Sequence, residues 1–343
     1  MDKPPQSRRP RSWMREIPED ISRMVEARPN RRAIGILAAL TSAAFLGMTP
    51  IFGKQAILFG APALAVVAIR TSLASLLLFL VMYLFFRPYL YIYPAGLLGC
   101  LLAGFINGLG SVFYYNSLAR IEAGVGQLLF TLYPFFLVMW LILDRQLPTR
   151  LTIVRVGLAI GAVYLLTQTG YHHIDPVGIL QMLVASALYA LHIPINQRVL
   201  YDMPAPTVTA YTLLAMSLVV VPTYLISGPQ AVPPGLQAWY PIFGLTMVTF
   251  FSRLTLFIGV KHLGAMQTAL LGLSETLVTL FFAHFWLKEG FTYQQWIGVS
   301  LLVSSLILVI IDRQPSKQQN QGGLLGWVRP PPSPTDIPWQ IRE

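Results

Sequence analysis

TPIFGKQAILFGAP, residues 49–62, returns as IPINQRVLYDMPAP at residues 193–206. Set one above the other without gaps, Pro50 falls on Pro194, Lys54 on Arg198, and Ala61-Pro62 on Ala205-Pro206. Matches between small apolar residues carry little weight alone, but a proline and a cation at one spacing mark a duplicated unit. A second pair agrees: LARIEAGVGQLLFTLYP (118–134) lies on VKHLGAMQTALLGLSET (260–276), with Ala123 on Ala265 and Leu128-Leu129 on Leu270-Leu271. The chain is therefore read as two copies of one unit.

The solvent of that unit follows from composition. Hydrophobic residues make up 55% of the chain and charged residues 11%, against about 25% charged in an ordinary soluble domain. Breaking the apolar runs at polar, Gly and Pro clusters leaves ten segments long enough to cross a bilayer as helices: 33–53, 64–86, 95–116, 123–143, 151–170, 177–197, 207–226, 239–260, 265–287 and 293–312. The expected fold is an all-α membrane protein with repeats at 33–170 and 177–312. Five spans per repeat is an odd number, so the second copy enters the membrane upside down, an architecture common among alternating-access carriers. Pro50 and Pro194 then sit near opposite membrane faces, as helix kinks or as frayed ends.

The flanks fix the expected orientation. Nine Lys and Arg residues lie within positions 1–32, directly before the first span, which holds that end in the cytoplasm and places both termini there, in a cell (inner) membrane. Arg mixed with Asp and Glu, with no apolar core, is not a signal peptide. Ile17, Ile21, Met24 and Val25 offer a short amphipathic stripe or belong to a disordered tail, and the Pro-rich 313–343 segment reads as disordered. Cys100 is the only cysteine, so no intrachain disulfide can form. Gly104 and Gly108, Gly157 and Gly161, and Ser300 and Ser304 read first as faces for close helix packing.

The sequence resembles the EamA-type drug/metabolite transporter superfamily. The likeness rests on FGKQ (52–55) closing the first span, Arg70 eight residues after Pro62, VKHLGAMQTALL (260–271) entering span nine, and FWLKEGFTYQQWIGVSLL (285–302) joining spans nine and ten. Members typically carry Glu-Pro in spans four and nine. Here Tyr133-Pro134 keeps the proline and Glu275-Thr276 keeps the acid, which breaks the symmetry of the two positions. The resemblance implies a secondary transporter, often an exporter of amino acids or other small metabolites, with a cavity between the halves. Its distant relatives include sugar-phosphate and nucleotide-sugar exchangers.

Arg70, Arg253 and Glu275 are the acids and bases deep within spans, where a charge costs at least about 2.5 kcal/mol. At 1.5 Å per residue, Arg253 lies about 12 Å from Lys261 and Glu275 about 16 Å from Gly264, similar depths on consecutive antiparallel helices. Three roles stay open for Glu275: a structural ion pair with Arg253, a transport role binding an amine or exchanging a proton, or a carboxyl kept protonated and donating a hydrogen bond. Asn107, Tyr114, Tyr115, Asn116, Tyr133, Trp140 and Tyr189 offer rings and hydrogen-bonding groups to a cavity, or interfacial anchors. His192 and His284 read as packing residues or proton relays. Lys54, Arg155 and Lys288 snorkel, and Lys54, with Pro50 and Pro194, is a gating candidate.

An enzyme is disfavoured, because the chain lacks HExxH, GxSxG, a P-loop and paired carboxylates within a span, and no cofactor is expected. YHHID (171–175) suggests a metal site on composition, but a solvated turn accounts for it better and no metal is assigned. A nucleic-acid partner is excluded, because the basic excess adjoins a membrane anchor. A channel remains the other membrane reading. The expected partners are a small-molecule solute, the lipid bilayer and a coupling proton.

Overall fold

The computed structural model describes residues 31–121, 123–144, 150–166, 175–227, 235–287 and 293–311. Both tails beyond position 30 and position 311, and most of YHHID, lie outside the described residues, as do Lys288 and the His284 side chain. Thirteen α-helices are described: α1 (Arg31–Leu46), α2 (Thr49–Leu58), α3 (Ala63–Phe85), α4 (Pro94–Arg120), α5 (Ala123–Phe130), α6 (Tyr133–Leu143), α7 (Arg150–Leu166), α8 (Pro176–Leu200), α9 (Ala205–Ile226), α10 (Leu236–Leu263), α11 (Ala265–Gly272), α12 (Ser274–Leu287) and α13 (Tyr293–Ile311). The protein is an all-helical membrane protein. Six described segments are long and apolar enough to cross a bilayer: Arg31–Leu58 taken through its break, and α3, α4, α8, α9 and α10.

Local chemistry sets the helix ends. Prolines open α2, α4, α6, α8 and α9 in their first turn, where a missing N–H costs no hydrogen bond. Gly60, at φ 85°, closes α2: its N–H donates to Ile57 O and that of Ala61 to Ala56 O, a Schellman arrangement that favours glycine. Gly264, at φ 86°, ends α10 and starts α11 in one residue. Asp175 caps α8 through the Val177 N–H and pairs with Arg120 at 3.2 Å. The Val177 N–H and the Arg120 guanidinium hold its carboxyl below the usual carboxylate range. Within the spans, hydroxyls such as those of Thr209, Ser217 and Thr246 donate to the carbonyl one turn back, so they need no water.

Packing follows the repeat. α4 lies against α8 as α10 lies against α1; α5 and α6 meet α8 as α11 and α12 meet α1; α3 pairs with α9 and α7 with α13. Each repeat thus lodges its first rod in the other.

Three sequence expectations change. Gly104 and Gly108 do meet α9 closely, at Ala215 and Val219, but Gly157 and Gly161 have no described neighbour where a side chain would begin. Ser300 and Ser304 are exposed and spend their hydroxyls on Trp296 O and Ser300 O. Arg155 does not snorkel but is buried at 1% exposure. The repeat-related prolines also differ: Pro50 opens α2 directly after a break at Gly47-Met48, a kink within a longer rod, whereas Pro194 sits inside uninterrupted α8.

Candidate functional site

Three helix interruptions converge on Glu275. The first is Gly47-Met48, between α1 and α2; the second is Thr131-Leu132, between α5 and α6; the third is Leu273, between α11 and α12. Glu275 stands in the first turn of α12, where the backbone N–H groups lack helical partners and favour negative charge. Gln127 Nε2 donates to Glu275 Oε1 at 3.0 Å. The hydroxyls of Thr131 and Thr276 meet at 3.1 Å across the two breaks. A side-chain carbon on Gly47 would lie 2.7 Å from the Glu275 carbonyl, and Thr279 Oγ1 donates to Gly47 O at 2.9 Å. Carbonyls freed by breaks in a bilayer need such partners, because no lipid supplies a donor.

The opposite wall is cationic. Arg70 on α3 donates from Nη1 to Thr249 Oγ1 at 2.9 Å, with the Tyr115 ring 4.8 Å from its guanidinium carbon. Arg253 lies over the Tyr189 ring at 5.3 Å, and its Nη1 is 3.4 Å from His192 Nε2. His192 Nδ1 contacts the Tyr189 carbonyl, so Nδ1 carries the proton and Nε2 presents a lone pair to the guanidinium. Neither arginine is bonded to a carboxylate among the described residues, so the pair of Arg253 with Glu275 that their depths allowed does not form. Both side chains nonetheless line one cavity.

Between the walls lies a cavity with about 50 Å³ of free volume for water-sized occupants, whose lining includes Arg70, Arg253, Glu275, Gln127, Asn107 and Tyr114, with Tyr189, Phe130, Thr249 and Ser252 beside them. That holds a few waters, so a larger solute needs the walls to part. Arg70, Arg253 and Glu275 are 6%, 6% and 3% exposed. Asn107 donates to Met216 Sδ at 3.5 Å.

The other candidates fall elsewhere. Tyr133 donates to Ala269 O at 2.7 Å, meeting the end of α11, and Trp140 donates to Ala187 O at 3.1 Å; neither lines the cavity. Tyr115 and His192 lie behind the two guanidiniums, and Asn116 is half-buried away from the cavity. Lys54 Nζ donates to Leu118 O and Ile121 O at 3.0 and 3.3 Å, closing the end of α4. Its repeat counterpart Arg198 instead pairs with buried Asp144 at the end of α6. Among the described residues no group of three metal-ligating side chains occurs. Gln127, Thr249 and Ser252 escaped the sequence reading; Gln127 is the single side-chain amide in the apolar run 123–143, and that was its one signal.

A family model described as the EamA-like transporter family matches residues 33–168 and again residues 176–311. One solved crystal structure superposes with a TM-score of 0.67 over 83% of this chain and 99% of that one, at 15% identity, a likeness of fold alone. No curated protein sequence matches significantly.

Proposed function

From the premise that the chain belongs to the EamA-like transporter family, we propose that it is a secondary carrier exporting small metabolites, amino acids foremost, by alternating access. One observation carries the reading: a buried acid and two buried guanidiniums face a single cavity where three helices are interrupted, and among the described residues none of the three is bonded to another. Charges at such depth persist when they bind or move something. Interrupted helices around a central site are the usual frame for a transported solute.

In this reading α1 with α2, α5 with α6, and α11 with α12 each form one broken span, giving ten spans in two inverted repeats. The paired contacts of the two repeats support it. The basic N-terminal tail supports cytoplasmic termini in a cell (inner) membrane. Glu275 binds the solute amine or exchanges a proton as the cavity changes side; Asn107, Tyr114 and Tyr189 shape the space beside it. Pro50 and Pro194, where helix geometry gives way, and Lys54, which ties α2 to the end of α4, serve as gating points. Energy comes from a solute or proton gradient. An exchanger of phosphorylated sugars is the second reading, favoured by the excess of guanidiniums over carboxylates in the cavity.

The test is transport in proteoliposomes with radiolabelled amino acids. A carrier shows saturable uptake and counterflow; flux proportional to concentration without counterflow marks a channel and ends the proposal. Glu275→Gln is expected to remain abundant and folded while its flux loses dependence on the pH gradient. Unchanged pH dependence would remove Glu275 from the coupling step.

A further inference from the structure

We propose that Arg70 and Arg253 together form a subsite for a carboxylate, and that His192 is the positioning residue that aims Arg253 into it. The inference rests on the carrier reading above and deepens it by assigning one end of the cavity a ligand chemistry.

Thr249 and Arg253 are four residues apart on α10 and so share a face, one turn from each other. Arg70 reaches across from α3 to Thr249 Oγ1, which brings its guanidinium to within about one helical turn of Arg253. Two guanidiniums that close repel unless an anion lies between them. Among the described residues no carboxylate bonds to either: Arg70 is 6% exposed, lines the cavity, and its Nε has no acceptor, and Glu275, in the same cavity, is bonded to Gln127 instead. Among the described residues Arg253 meets the lone pair of His192 and the Tyr189 ring face. Ring faces and a neutral imidazole hold a cation in place without cancelling its charge. An arginine kept this way retains planar N–H donors for a planar carboxylate.

His192 does more than fill space. With Nδ1 engaged by the Tyr189 carbonyl, its lone pair is fixed in one direction, toward Arg253. An acceptor there takes one N–H and leaves the rest of the fork turned toward the cavity.

Glu275 decides between the two anions a guanidinium pair takes well. It stands in the same cavity, so with the acid ionised the cavity holds two positive charges against one negative. A zwitterion sets its carboxylate against the guanidiniums and its ammonium against Glu275, so each charge meets an opposite one, whereas a phosphate monoester has no cation for the acid and brings a second negative charge toward it.

The test measures binding on the purified full-length chain, not transport, so it fails independently of the carrier reading. L-Leucine, L-phenylalanine and L-glutamine are each compared with their α-carboxamides by ligand-dependent thermal stabilisation, with glycerol 3-phosphate as the phosphate probe. At least one carboxylate is expected to bind about tenfold or more tightly than its amide, the order of one charge-assisted hydrogen bond. Arg253→Gln and Arg70→Gln should collapse that ratio toward one, and His192→Phe should lower it while His192→Asn, which keeps an acceptor, restores it. The ratio is read on folded protein, so a variant that is merely unstable does not mimic the result, and Arg253→Lys serves if Arg253→Gln does not fold. Equal binding of acid and amide, no shift with any carboxylate, or an unchanged ratio in both arginine variants overturns the subsite. Tighter binding of glycerol 3-phosphate than of every carboxylate overturns its assignment to a carboxylate. Equal effects of His192→Phe and His192→Asn on the ratio overturn the positioning role.

Discussion

Glu275 is a buried side chain with one protein donor: Gln127 Nε2 alone is hydrogen-bonded to its carboxyl among the described residues, and it is 3% exposed. A buried acceptor that loses its only donor costs the full desolvation of that group, about 1–3 kcal/mol, whereas removing both partners together can be nearly neutral. Gln127→Leu should therefore lower the melting temperature in detergent, and Glu275→Leu on that background should recover part of the loss. Additive losses in the double variant would mean that the contact does not hold the two helices together. Charge made much of this site legible in advance, because Arg70, Arg253 and Glu275 each interrupt an apolar run that hydropathy reads at once. Gln127 was not legible as the partner, since a neutral amide barely disturbs a hydropathy profile. The expected Arg253–Glu275 bond is not found among the described residues, although both side chains line one cavity. Rise along a helix fixes height but not the gap across a cavity, and nearer partners take both groups: Gln127 for Glu275, His192 and Tyr189 for Arg253.

The interruptions themselves show two kinds of cause at the scale of the helix. Pro134, in the first turn of α6, removes an N–H and crowds the carbonyl four residues earlier, so the break at Thr131-Leu132 has a cause written in the sequence. The break at Leu273 has no proline, and the apolar pattern runs through it. What the structure places there is tertiary: a side-chain carbon on Gly272 would run into the Tyr133 hydroxyl, with the next nearest atom, Tyr133 Cζ, at 3.5 Å. That same hydroxyl donates to Ala269 O, near the end of α11. Gly272→Ala should overpack this crossing and destabilise by about 1–3 kcal/mol, while Tyr133→Phe should lose about 1 kcal/mol with its hydrogen bond. Because removal of the hydroxyl leaves only ordinary contact, the double variant should be more stable than the sum of the singles allows. A double-mutant cycle by denaturant or thermal melting checks it, and strict additivity would place the strain of Gly272→Ala elsewhere. The same contrast separates the prolines: Pro50 and Pro194 align in sequence, yet only Pro50 follows a break, because Gly47 beside it is pressed against the Glu275 backbone.

At the scale of the whole chain, duplication and exchange act together. With α1 lodged among α10, α11 and α12, and α8 among α4, α5 and α6, each repeat packs its first rod against the other, so the cavity belongs to both repeats and each of its walls draws on both: Gln127 with Glu275 on one side, Arg70 with Arg253 on the other. The repeat alignment made this duplication visible, but it could not reveal the exchange of first rods, since which copy a helix packs against leaves no periodic mark. The inverted orientation is open to a direct test at sites the alignment makes nearly equivalent: Leu58, 73% exposed at the end of α2, and Tyr201, 47% exposed just past α8. Cys100 is buried, which leaves introduced thiols as the reactive ones. In intact cells a membrane-impermeant maleimide should label Leu58→Cys and leave Tyr201→Cys untouched until the membrane is opened, if the proposed five spans per repeat carry the second copy across inverted. Labelling of both from the same side would mean that the copies run parallel, and with parallel copies the two repeats would no longer exchange roles as the cavity opened to either face.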